Sequence, residues 1–85
     1  MVQEGTLSQL LAERRWPIAA LALVTDIDES TATRIVKGQS RPHATTAVRM
    51  AEGLGIGYGR MRRILTATWE AGQAAQESTA AGATR

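Results

Sequence analysis

The stretch Pro17–Ile35, PIAALALVTDIDESTATRI, constrains the fold more than any other part of the chain. It reads as two short helices joined by a tight turn. The first carries apolar side chains at Ile18, Leu21, Ala22 and Val24, and the turn is Thr25-Asp26-Ile27. The second opens at Asp28 and buries Ala32 and Ile35. Asp28 is a good N-cap, because its carboxylate can accept from the free amides of the first turn. Asp26 falls where the turn needs a left-handed residue, which aspartate tolerates better than most. Ile27 is expected to plug the core beneath the turn. Two helices separated by three or four residues make a helix-turn-helix, whose second helix can enter the major groove of DNA.

The flanking segments supply the elements that bury this pair. After a frayed start over 1–5, Thr6-Leu7-Ser8-Gln9 has the form of a capping box. The helix that follows reaches about Arg15, with Leu7, Leu10 and Leu11 on one stripe and Glu13, Arg14 and Arg15 facing water. Trp16-Pro17 ends it, because the residue before proline is pushed out of the α region. Trp16 is expected to fill the corner between the first two helices. Gly38 stops the third helix, and GQSRPH over 38–43 forms a polar loop. A fourth helix spans about Ala44–Leu54, its buried side supplied by Ala47, Val48, Met50, Ala51 and Leu54, and Gly55 ends it. The fifth begins near Gly57 or Tyr58, places Met61, Leu65 and Trp69 at i, i+4 and i+8 with Ile64 beside them, and fades near Gly72. The expectation is thus an all-α, compact five-helix bundle over 1–70, with an Ala/Gly/Ser/Thr-rich tail over 71–85 that has too little apolar surface to order itself.

Eighty-five residues make one small domain, for which dimerisation would enlarge the core. The longest apolar run, Ile18–Val24, is too short to span a bilayer and lacks the flanks of a signal peptide, so no membrane association is expected. Without cysteine there is neither a disulfide framework nor a thiolate metal site. Asp26, Asp28 and Glu29 fail the calcium-loop pattern: its glycine and glutamate positions hold Thr31 and Lys37. With one histidine, no Ser/His/Asp set and no phosphate-binding glycine loop with its lysine, neither enzymatic activity nor a cofactor is expected.

The net charge of +2 hides an uneven distribution. Residues 1–29 hold five acids against two bases, and residues 30–69 hold seven bases against one acid. The basic middle fits a phosphate-facing surface, and fits a solvated helical surface equally well. Arg60, Arg62 and Arg63 form a second basic cluster at the start of the fifth helix.

Residues 7–65 resemble the helix-turn-helix family of phage lambda repressor and Cro, the XRE type. The resemblance lies in an ordered, ungapped pattern. It comprises Leu21-Ala22, Ile27, Ser30-Thr31, Arg34-Ile35, Gly38, Arg41-Pro42, Thr46, Ala51 and Leu54-Gly55-Ile56. The pattern is departed from in four places. Asp26 stands where glycine is usual, Ile18 where a phosphate-holding glutamine is common, and His43 where Ser or Thr usually caps the fourth helix. Two acids, Asp28 and Glu29, open the third.

The resemblance implies that the third helix reads base edges through Glu29, Ser30, Thr33 and Arg34. Arg34 can donate twice to guanine, and Glu29 can accept from cytosine. Ser30 can donate or accept, and the Thr33 methyl can meet a thymine methyl. It implies that Lys37, Gln39, Ser40, Arg41 and His43 run along the sugar-phosphate backbone, where contacts fix register and supply salt-dependent affinity. Trp69, with Leu65, is the candidate contact between two copies. The implied function is duplex DNA binding by a homodimer that reads a palindromic operator, as a cytoplasmic, nucleoid-associated transcriptional regulator of bacterial or phage type, a repressor. The alternative is a protein-interaction module, an adaptor or antitoxin-like partner, using the same bundle and the C-terminal segment.

Overall fold

The computed structural model describes the backbone of residues 5–83 and side chains up to residue 76. The expected frayed start falls almost wholly on residues outside this range, as do the last two residues of the tail. Five helices follow one another: α1 (Leu7–Arg14), α2 (Ile18–Thr25), α3 (Glu29–Val36), α4 (Ala44–Leu54) and α5 (Tyr58–Ala83). Helix α2 is the hub, packed against both α3 and α4; α5 closes the bundle against α4, α1 and the end of α3.

The helix starts and stops follow from local chemistry. Thr6 and Gln9 form the capping box of α1, the Thr6 hydroxyl accepting from the Gln9 amide and the Gln9 side chain accepting from the Thr6 amide. Four helix ends share one geometry, in which a residue of positive φ turns the chain and successive amides reach back to carbonyls of the last turn. Those residues are Arg15, Asp26, Gly38 and Gly55. At the end of α3, Gly38 N–H bonds the Ile35 carbonyl and Gln39 N–H bonds the Arg34 carbonyl at 2.8 Å. Arg15 is the position no sequence signal marked, since a long cationic side chain gains nothing from a left-handed backbone.

The core is formed by Leu7, Leu10 and Leu11 of α1, Leu21 of α2, Ile35 of α3, Ala47, Met50, Ala51 and Leu54 of α4, and Met61, Ile64 and Leu65 of α5. Trp16, Ile18, Ile27, Val36 and Ile56 pack around it. Helical geometry explains where the buried set departs from expectation. On α2 the inward stripe is Ile18, Leu21, Ala22 and Thr25, spaced i, i+3, i+4 and i+7. Thr25 is therefore the last helical residue rather than the first of the turn, and it is fully buried. Val24 lies one step off the stripe and is 41% exposed. Val48 is likewise outside the α4 stripe of Ala47, Met50, Ala51 and Leu54 and is 42% exposed. Arg14 is half-buried instead of facing water. It donates to the Leu54 carbonyl at the end of α4, and its guanidinium lies 5.8 Å from the Trp16 ring centroid.

Helix α5 departs most. It does not end near Gly72 but continues to Ala83. Its inward face runs Met61, Leu65, Thr68 and Gly72, all buried, at i, i+4, i+7 and i+11. Gly72 is thus a point of close approach rather than a stop. Thr68 is buried, and its hydroxyl accepts from the Leu7 amide at 2.8 Å while donating to the Ile64 carbonyl. It satisfies a free amide at the start of α1 from the far end of the chain.

Candidate nucleic-acid interface

The turn that sets α3 against α2 is Asp26-Ile27-Asp28. Asp26 adopts φ 62 without glycine, Ile27 packs on the core, and the Ile27 amide bonds the Ala22 carbonyl. Asp28 then caps α3. Its carboxylate accepts from the Thr31 amide at 3.2 Å, from the Thr31 hydroxyl at 2.7 Å and from the Ser30 hydroxyl. The Ser30 hydroxyl, then both Thr31 groups, hold the Asp28 carboxyl below its ordinary 3.8, at about 2. The first of the two acids at the head of α3 is therefore engaged in ordering that helix.

A depressed carboxyl stabilises the fold wherever it is ionised, and that contribution is lost as pH falls through the lowered value. The start of α3 is accordingly expected to hold at neutral pH and to loosen between about pH 4 and pH 2. Asp28→Asn keeps a good N-cap without the titration, and should flatten this part of an acid titration followed by circular dichroism. Identical acid curves for the two proteins would refute the assignment.

The candidate base-reading residues separate into two kinds. Glu29, Ser30 and Arg34 are exposed on one side of α3. Thr33 is half-buried, and its hydroxyl donates to the Glu29 carbonyl at 2.9 Å, leaving its methyl as the group for contact. The Ser30 hydroxyl proton is used by Asp28, so Ser30 offers lone pairs rather than a donor. Arg34 lies back along the helix, Nη2 being 3.4 Å from the Thr31 hydroxyl, a long contact that leaves most of its donors free.

The backbone-tracking candidates follow directly. Lys37, Gln39, Arg41 and His43 are exposed, and Ser40 is half-buried. His43 caps α4 through backbone geometry alone, with no side-chain bond. The loop carrying them is seated on α5. The Gly38 carbonyl accepts from Gln73 Nε2 at 3.3 Å, and the Arg41 guanidinium stands over the Trp69 ring at 5.7 Å from its centroid. Arg41 also shares a shallow cleft with Arg62, Tyr58 and Thr66, which brings one member of the α5 basic cluster beside the loop.

The two candidate dimer contacts differ in exposure. Leu65 is 8% exposed and belongs to the core of its own chain. Trp69 is half-buried, with the Arg41 guanidinium over its ring. Ile18 packs on the core.

The Helix-turn-helix family model matches residues 7–59, which span α1 through the first residues of α5. The chain belongs to this family, the lambda-repressor-like helix-turn-helix proteins. Searches of curated proteins and of solved structures returned no match. Membership in the helix-turn-helix family carries sequence-specific DNA binding by a regulator, and α3 is the second helix of the motif. Thr68, Trp69, Gly72 and Gln73, which the sequence did not single out for this surface, lie beyond the segment the family shares. A signal for two of them did exist: Thr68 and Gly72 continue the 3.6-residue rhythm of Met61 and Leu65, although neither side chain is large and apolar. No helix among the described residues is long and apolar enough to cross a membrane.

Proposed function

We propose that this chain is a small transcriptional regulator, a repressor that occupies a palindromic operator as a homodimer and reads bases with Glu29, Ser30, Thr33 and Arg34. The observation that carries the reading is the outer side of α3, where Arg34 and Glu29 stand exposed after a rigid, Asp28-capped turn. Lys37 and Arg41 follow on its C-terminal side, both exposed, and supply the cations that this reading assigns to backbone phosphates. Asp28, engaged by Ser30 and Thr31, has a structural task in capping α3 while keeping its negative charge. Dimerisation matches a two-fold site with half-sites one helical turn apart. With Leu65 in the core, the exposed large hydrophobic side chains available for contact between copies, among the described residues, include Leu23, Val24, Val48 and Tyr58.

Selection of bound duplexes from a random pool tests specificity and symmetry together. A recovered palindrome supports the reading; tight binding to a protein, with no duplex retained at low salt, favours the interaction-module alternative. Arg34→Ala is expected to lose discrimination at one base pair, by about 1–3 kcal/mol. Arg41→Ala should weaken all duplexes alike and lower the salt slope by about one. If both variants lose specific and random duplexes in equal proportion, the division between reading and positioning residues is wrong.

A further inference from the structure

Three links join the loop after α3 to the middle of α5. Gly38 and Gly72 meet backbone to backbone, a β-carbon on Gly72 falling 2.6 Å from both the Cα and the carbonyl oxygen of Gly38. Gln73 donates to that same carbonyl. Trp69 faces the Arg41 guanidinium. Trp69, Gly72 and Gln73 are spaced i, i+3 and i+4, so one side of α5 makes all three.

We propose that Trp69 is a positioning residue for duplex binding: its ring holds the Arg41 guanidinium in the place from which Arg41 meets a backbone phosphate. The proposal rests on the DNA-binding reading above and deepens it. An arginine on a polar loop samples many rotamers, and losing that freedom on binding opposes affinity. A cation–π contact with a ring restricts the side chain beforehand. The attraction is electrostatic and spends no hydrogen-bond acceptor on the guanidinium, whose N–H groups can then serve phosphate oxygens. The Gly38 contacts tie the start of the loop to the same side of α5 that carries the ring. Affinity for DNA is thereby set partly by a segment outside residues 7–59, the part shared with the family.

The experiment is a double-mutant cycle on the full chain, measuring affinity for a mixed-sequence duplex across a salt series. Trp69→Leu keeps apolar volume and removes the ring. It is expected to weaken binding roughly 3- to 30-fold, the range of a cation–π contact. The salt slope should not change, because Arg41 still displaces its counterion once bound. In the Arg41→Ala background the same change should have no further effect. Trp69→Phe, which retains a ring, should recover most of the affinity. Should Trp69→Leu lose its helical signal, Trp69→Met repeats the comparison with a longer apolar side chain and no ring: affinity falls and the slope remains. Binding by Trp69→Leu equal to or tighter than wild type overturns the proposal, as does an equal loss with and without Arg41. A wild-type chain that binds no duplex overturns it together with the DNA reading; wild-type binding with an additive cycle overturns it alone.

Discussion

Gly38→Ala is expected to destabilise the domain strongly, although it adds a single methyl group. Two costs coincide at this position. The backbone sits at φ +74, where an L side chain crowds the following carbonyl, at roughly 1–2 kcal/mol. The added β-carbon would also stand 2.4 Å from the Thr68 carbonyl oxygen and 2.7 Å from the Gly72 Cα. Both are main-chain atoms of a continuous helix, so neither can rotate away, and overpacking of this kind costs about 1–3 kcal/mol. Together the loss is on the order of 3 kcal/mol, a fall of roughly 10–20 °C in Tm for a domain of this size. Gly55 provides the internal control. It has nearly the same backbone, φ +71, but a β-carbon there meets nothing within 4 Å. Gly55→Ala should therefore show the backbone cost alone. Equal losses for the two variants in urea unfolding would mean that α5 is not seated on the end of α3.

Thr68→Val is expected to follow, at about 1–3 kcal/mol, although the two side chains have the same shape. The substitution leaves the Leu7 amide buried without a partner, because the Thr68 hydroxyl is the group that accepts from it. Leu7 itself is fully buried, so water cannot easily replace the lost bond. Thr68→Ser keeps the acceptor and should lose much less. Hydrogen exchange at the Leu7 amide locates the effect: protection should collapse toward the rate of an exposed amide in Thr68→Val and persist in Thr68→Ser. Unchanged protection in the valine variant would show that α1 is capped in some other way.

These two sites show how far a single sequence carries. The helix-turn-helix was legible because its signals are local. Asp28 is an N-cap by its own chemistry, Asp26 tolerates the left-handed turn, and Leu21, Ala22, Ala32 and Ile35 mark the inward sides of adjacent helices. The exposed side of α3, with Glu29, Ser30 and Arg34, follows once Ala32 and Ile35 are known to face inward. Residue type alone misled where a side chain had two uses. Thr25 looked like a turn residue because it is polar, yet helical phase carries it into the core. Gly72 looked like a stop because glycine favours helix ends, yet it lies within α5 where two backbones touch.

By itself, the sequence determined where the five helices begin, the ends at Asp26, Gly38 and Gly55, and the surface of α3, because each depends on residues within a turn or two of one another. Only the tertiary structure decided what that surface rests on. Thr68 against Leu7, Gly72 against Gly38 and Trp69 beneath Arg41 join residues 28 to 61 positions apart. No local rule relates such pairs. They meet because α5 must lie across the bundle to bury Met61, Ile64 and Leu65, and a rigid helix carries whatever follows on that side to the end of α3.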